Sequence, residues 1–185
     1  NGGQCVLTEN EHQTGTDRIF EAYQKLENKD IDYVINLQGD EPMIDIEDIK
    51  NLNNHAIKKN SEITTLACKI SDKKILSKSN IVKVITDEEI SKANMSGANT
   101  FSREISLNNN SNVYHHIGIY MYKVSTLEKF VNLKQTKNEI AQRLEQMRAI
   151  DNNIKINVIL ANSSPIGVDT EEDFLELKKI MNYKN

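Results

Sequence analysis

Short β-rich runs alternate with segments of helical periodicity along nearly the whole chain, and this alternation most constrains the fold. Tyr33 to Leu37, Ile63 to Ile70, Ile81 to Thr86, Ile117 to Tyr122 and Ile154 to Leu160 read as strands, and Cys5-Val6-Leu7 as a further short one. Thr14 to Leu26, Ile46 to Ile57, Ser125 to Val131, Glu139 to Ile150 and Thr170 to Met181 have the spacing of helices. In the first of these, Ile19, Phe20, Tyr23 and Leu26 share a face, and Thr14-x-x-Asp17 offers a capping-box-like start. Asp87-Glu88-Glu89 reads as a hairpin turn, followed by an extended Ile90 to Phe101. Strands that alternate with helices predict one α/β sandwich with a mostly parallel sheet, to which residues 81–122 add an antiparallel β insertion.

Composition narrows the function classes. Charged residues make up 27% of the 185, with net charge −4 and no long block of either sign. Nucleic-acid binding is disfavoured because no basic face is visible. No run approaches the 18 consecutive apolar residues of a membrane span. Two cysteines, Cys5 and Cys68, suit a reducing cytosol rather than a disulfide scaffold. The chain opens Asn-Gly-Gly-Gln without a signal peptide, so a processed chain or a fragment is expected. Lysine is the default cation, 19 against four arginines, which draws attention to Arg18, Arg103, Arg143 and Arg148. Arginine is favoured where a carboxylate or phosphate is gripped by a planar fork, although an arginine also covers apolar surface.

The run Val34 to Pro42 ends an apolar strand in Gln38-Gly39-Asp40-Glu41, at the strand end where open α/β sheets bind ligands. Asp40 and Glu41 could hold a hard divalent cation; an ordinary acidic turn is the competing account. Asp169 precedes a helix with Thr170 as N-cap, and it would supply a second carboxylate if the fold brings it to Asp40. His12 to Arg18 runs into a helix N-terminus with small residues and one arginine, which suits a phosphate but is not a Walker-type loop. His115 and His116 are adjacent on a strand and point to opposite faces, so a zinc pair is disfavoured and a substrate-binding histidine favoured. Glu139 to Arg148 reads as an amphipathic helix with a solvated polar face.

Six segments in register give a resemblance that covers essentially the whole chain. His12-x-Thr-Gly-Thr-Asp-Arg18, Gln38-Gly-Asp-Glu-Pro42, Phe101-Ser-Arg103, His116-Ile-Gly-Ile-Tyr120, Leu144-Glu-Gln-Met-Arg148 and Gly167-Val-Asp-Thr170 occur in the order seen in 3-deoxy-manno-octulosonate (Kdo) cytidylyltransferases. The resemblance implies a Rossmann-like three-layer α/β/α sandwich of the nucleotide-diphospho-sugar transferase type. It also implies transfer of CMP from CTP to Kdo for lipopolysaccharide biosynthesis, with release of pyrophosphate. Asp40 and Asp169 would hold Mg²⁺. Gln38 and Thr14, Gly15, Thr16 and Arg18 would face the nucleotide. Arg103, His116, Tyr120, Glu145 and Gln146 would line the sugar-acid pocket, with Arg103 the partner of the Kdo carboxylate. A cytoplasmic homodimer is implied as well.

The chain departs from the family pattern in three places. Nothing here is like the family's opening Pro-Ala-Arg-x-x-Ser-x-Arg-Leu-Pro-x-Lys loop, so residues 1–185 are expected to form a single cytidylyltransferase domain without its N-terminal phosphate-loop segment. Glu104 to Leu107 stand where Ser-Pro-Ile-Pro is usual, and Gln142 where an acidic residue is common. A cytidylyltransferase for another acidic sugar, sialic-acid-like or amino-Kdo, is therefore an open alternative. An inactive partner protein is another.

Overall fold

The computed structural model describes residues 2–27, 30–40, 42–105, 112–162, 167–168 and 170–182. Strand β1 is Tyr33–Asn36, β2 Ile63–Lys69, β3 Lys83–Thr86, β4 Ser96–Ser102, β5 Val113–Lys123 and β6 Ile156–Leu160. The helices are α1 Gly15–Lys25, α2 Ile46–Lys59, α3 Val124–Val131, α4 Lys137–Gln142, α5 Met147–Asp151 and α6 Glu171–Asn182, with a 3₁₀ turn over Lys73–Ser77. Cys5–Leu7, expected as a strand, is not one: no strand lies beside it among the described residues, and Leu7 is exposed. β3 and β4 do form the expected hairpin, but residues 87–95 are its connection and only 96–102 are strand.

The sheet order is β1-β5-β2-β6-β4-β3, with a further β3–β5 pairing. β1, β2, β3 and β6 share one direction, yet only β2–β6 is a parallel pair among the described residues. The long β5 runs against β1, β2 and β3, and β4 runs against β3 and β6. The sheet is thus mixed rather than mostly parallel in its pairings, because the antiparallel strands are interleaved with the others instead of being appended at one edge.

Alternation along β2 and β5 builds a core on each sheet face. Ile63, Ala67, Tyr114, Tyr120 and Tyr122 join Leu127 and Phe130 of α3 and Met147 of α5, with Ile19 and Phe20 of α1 packed against them. Leu66, Cys68, Ile117, Ile119 and Met121 meet Leu52 and Ala56 of α2 on the opposite face. Helices on both faces make the α/β/α layering. α1 begins as its sequence dictates, with Thr14 accepting from the Asp17 N–H at 3.2 Å.

The segment 139–150 departs from the continuous helix its periodicity predicts. α4 ends at Gln142, Arg143 takes a left-handed conformation (φ 54°), and α5 begins only at Met147. A buried ion pair holds the two pieces together. Arg148 Nε donates to Glu139 Oε2 at 2.9 Å, its other fork nitrogen to Oε1 at 2.5 Å, and its guanidinium lies 4.9 Å from the Phe130 ring centre. Glu139 also closes a capping box with Thr136. Burial pushes the Glu139 carboxyl up, but the Arg148 fork and the Thr136 backbone N–H outweigh it and hold its pKa below the usual value.

Removing one partner leaves the other charge buried alone. Glu139→Ala is expected to cost roughly 3–5 kcal/mol in denaturant unfolding. Because the folded pKa of Glu139 is depressed, its contribution is complete above the ordinary glutamate range and is lost as pH falls through the lowered folded value. Glu139→Gln should flatten that acid limb of the stability–pH curve; an unchanged limb would show that other carboxylates set it.

Candidate active site

β5 positions the site by being paired along one edge and interrupted along the other. β2 follows it from Tyr114 to Tyr122. On the other edge, β1 covers Tyr120 to Lys123 and β3 covers Val113 to His115, with Val82 O accepting from His116 N–H at 3.0 Å. Among the described residues Ile117 to Ile119 have no neighbouring strand there, between the carboxyl end of β1 and the amino end of β3. A cleft of about 600 Å³ opens at this gap. Gln38 and Asp40, beyond β1, stand at one side and Asn80 to Val82, before β3, at the other. Arg103 follows β4, and Arg143 to Gln146 come from the break between α4 and α5.

That break is what makes Glu145 and Gln146 available. Leu144 is buried in the core while the next two residues line the cleft. Glu145 lies against the Thr16 and Thr14 hydroxyls; burial raises its pKa, opposed by those hydroxyls and by Arg148. Its Oε1 is buried with no hydrogen-bond partner among the described residues, and the same is true of the Tyr120 hydroxyl. Two unpaired polar atoms in one cleft mark a place where a hydroxylated ligand completes the hydrogen bonding.

His116 packs edge-on against Phe101 at 5.1 Å and tilted against Tyr120 at 5.4 Å between ring centres. Burial, with a smaller contribution from His115, pushes its pKa down to about 3, so the imidazole is neutral at physiological pH. Both histidines line the cleft although they alternate along the strand, because the cleft opens at the strand's edge rather than over one face.

Arg103 is held from behind. The fully buried Lys83 donates from Nζ to Arg103 O and to Lys78 O, each at 2.6 Å, which ties the end of β4 to the loop before β3. Among the described residues the Arg103 guanidinium makes only long contacts, 3.3 and 3.4 Å, to the Ser79 and Asn80 carbonyls. Most of its donors are therefore available to a carboxylate.

Asp40 is exposed at the cleft, and its carbonyl accepts from Val168 N–H at 2.8 Å, with Gly167 alongside in the cleft wall. The loop before α6 thus reaches Asp40; Asp169 itself, like Glu41, lies outside the described residues. Thr14 to Arg18 form no part of the cleft wall. Thr14 and Thr16 back Glu145, Thr16 also contacts the Tyr122 hydroxyl at 3.3 Å, and Gly15 opens α1 beside Asn36. Arg18 points elsewhere, donating to Thr8 Oγ1 at 2.6 Å and Glu9 O at 3.0 Å, which ties residues 8–9 to α1.

Residues 1–156 match the cytidylyltransferase family. A 3-deoxy-manno-octulosonate cytidylyltransferase of Agrobacterium fabrum (strain C58) is 37% identical over 97% of this chain and 71% of its own length. One from Francisella tularensis subsp. holarctica is 38% identical over 98% and 75%. The chain is a member of the 3-deoxy-manno-octulosonate cytidylyltransferase family. The solved structure of a CMP:2-keto-3-deoxy-manno-octonic acid synthetase complexed with CTP superimposes over 100% of the chain and 74% of its own (TM-score 0.86, 31% identity). A 4-diphosphocytidyl-2C-methyl-D-erythritol synthase from Anaerococcus prevotii shares the fold alone, at TM-score 0.56 and 16% identity.

Seven of the residues singled out in this family member's sequence line one cleft: Gln38, Asp40, Arg103, His116, Tyr120, Glu145 and Gln146. Sequence reasoning missed the support behind them. Lys83 reads as an ordinary lysine within a strand, and its only signal is a cation between valines in the run Val82-Lys83-Val84. Arg143 lines the cleft, and the scarcity of arginine was the only hint of it. Lys83→Met removes the donor from two carbonyls, and a loss of roughly 1–3 kcal/mol in urea unfolding is expected. An unchanged midpoint would show that those carbonyls are satisfied without it.

Proposed function

We propose that the protein transfers CMP from CTP to 3-deoxy-D-manno-octulosonate, giving CMP-Kdo and pyrophosphate for lipopolysaccharide biosynthesis. The observation that carries this reading is the convergence, in a family member, of a loosely held arginine with unpaired hydroxyl and carboxyl groups at the carboxyl end of β1. The sugar's anomeric hydroxyl attacks the α-phosphorus and pyrophosphate leaves, chemistry that needs positioning and electrostatic stabilisation more than a protein nucleophile. Arg103 pairs with the Kdo carboxylate through its fork. Tyr120, Glu145, Gln146 and His116 orient the sugar through its hydroxyls. Gln38 is assigned to the nucleotide side, while Thr14 and Thr16 act indirectly by backing Glu145.

The donor chemistry suits Mg²⁺, which takes one or two protein carboxylates and fills its shell with phosphate oxygens and water. Among the described residues no group of three His, Cys, Asp or Glu could hold a metal, so the fit rests on Asp40 and on the Val168 contact that leads the Asp169 loop to it. Asp40 and Asp169 would hold the ion, which when bound offsets charge on the phosphates. A cytoplasmic homodimer goes with this reading. Among the described residues no helix is long and apolar enough to cross a membrane.

Pyrophosphate release from CTP with Mg²⁺, measured against Kdo, sialic acid and an amino-Kdo, is the direct test. Kdo should give the highest kcat/KM, and equal rates with sialic acid would sink the assignment. Asp40→Asn should lower turnover by roughly a hundredfold or more, the scale of one preorganised electrostatic group. As an exposed residue, it should leave the unfolding midpoint unchanged. An unaffected rate would remove Asp40 from the metal site.

A further inference from the structure

Thr65 is fully buried in β2 at the point where the β2–β5 register slips: Thr65 faces Tyr120, but Leu66 faces Ile117. The extra β5 residues, Gly118 and Ile119, form a bulge beside the cleft. The Thr65 hydroxyl meets three groups there, Ile119 O at 2.8 Å, Ile117 O at 3.2 Å and His116 Nε2 at 3.1 Å. A hydroxyl has one proton and two lone pairs. Both carbonyls can only accept, so the proton is directed at them, and a lone pair faces the imidazole. Nε2 must then carry the ring hydrogen. In a neutral imidazole that leaves Nδ1 bare.

We propose that Thr65 is a positioning residue that fixes His116 as the Nε2–H tautomer, so that Nδ1 is offered to the bound sugar acid as an acceptor for one of its hydroxyls. The proposal deepens the sugar-acid reading of the cleft and rests on it for the identity of the ligand. It makes the site selective at that contact: a hydroxyl donor is held, and a carbonyl or ether oxygen at the same position would meet a lone pair. His116 lines the same cleft as the unpaired Tyr120 hydroxyl and Glu145 Oε1.

The tautomer is read directly by ¹⁵N NMR of the histidine-labelled protein, with His116 assigned among its four histidines by difference from His116→Gln. The unsubstituted protein should show a protonated Nε2 and an unprotonated Nδ1, and the reverse would overturn the proposal whether or not any variant folds. Thr65→Val should mix the tautomers and raise KM for the sugar acid about tenfold, one hydrogen bond's worth, with KM for CTP unchanged. Thr65→Ser, which keeps the hydroxyl, should restore both readouts. A rise in both KM values together, or a wild-type tautomer in Thr65→Val, would reduce Thr65 to a packing residue and overturn its assigned role. If the unsubstituted protein turns over no acidic sugar, the ligand assignment fails, while the NMR result still decides what Thr65 does to His116.

Discussion

The interruption along one edge of β5 is the constraint on which the site depends. A strand hydrogen-bonded on both edges throughout would bury its backbone and leave no room for a ligand. Here β1 and β3 occupy successive stretches of the same edge and run in the same direction, so the end of one faces the beginning of the other across Ile117 to Ile119. Backbone left unpaired by a partner strand must find other donors and acceptors or meet solvent. The fold answers on the β2 side with the bulge that Thr65 caps, and on the open side with a cleft. His116 and Tyr120 flank the gap because they are the β5 residues nearest to it that Val82, just before β3, and β1 respectively engage.

A second departure from regular structure supplies the opposite wall. The periodicity of Glu139 to Ile150 is that of one helix, and a single helix would keep Glu145 and Gln146 on its solvated face. The left-handed Arg143 interrupts it, buries Leu144 and turns the following pair into the cleft. A non-glycine residue in that conformation persists only where its surroundings over-determine it. The Glu139–Arg148 fork spans the break and does so here. The same Arg148 opposes the burial that raises the Glu145 pKa. One buried cation therefore holds the break in place and tempers the carboxyl that the break turns into the cleft.

Local chemistry was legible in the sequence, and long-range pairing was not. The Thr14 cap, the strand over Tyr33 to Asn36 and the polar tip after it follow from composition and spacing. The interleaving of β5 between β1 and β2 does not, because its residues read as a buried strand in either direction. No glycine or proline marks the break at Arg143, so periodicity carried the helix straight through it. Arg18 illustrates the converse: an arginine at a helix start suits a phosphate, but residues 8–9 return to it and engage one of its guanidinium nitrogens, turning it away from the cleft. Only the resemblance, which carries spatial information that one sequence lacks, gathered Arg103, His116, Tyr120 and Glu145 into a single site.

Lys83 and Arg103 divide the work according to their chemistry. Lys83 has three donors on a compact ammonium and places two of them on backbone carbonyls, so it serves as a strut; burial lowers its pKa, which is tolerable for a group that need not attract a ligand. A guanidinium cannot be deprotonated in a protein and presents five donors in a fixed fork. Among the described residues Arg103 uses that fork only through two long contacts, so binding a carboxylate would disrupt little. In the proposed reaction, an acidic sugar entering beside a nucleoside triphosphate brings one negative charge toward several others, and attraction at the carboxylate would have to offset that repulsion before the anomeric oxygen could approach phosphorus. A cation whose charge is permanent, whose backbone is pinned and whose donors are largely uncommitted meets that need. A lysine at 103, with a flexible stem and no fork, would not.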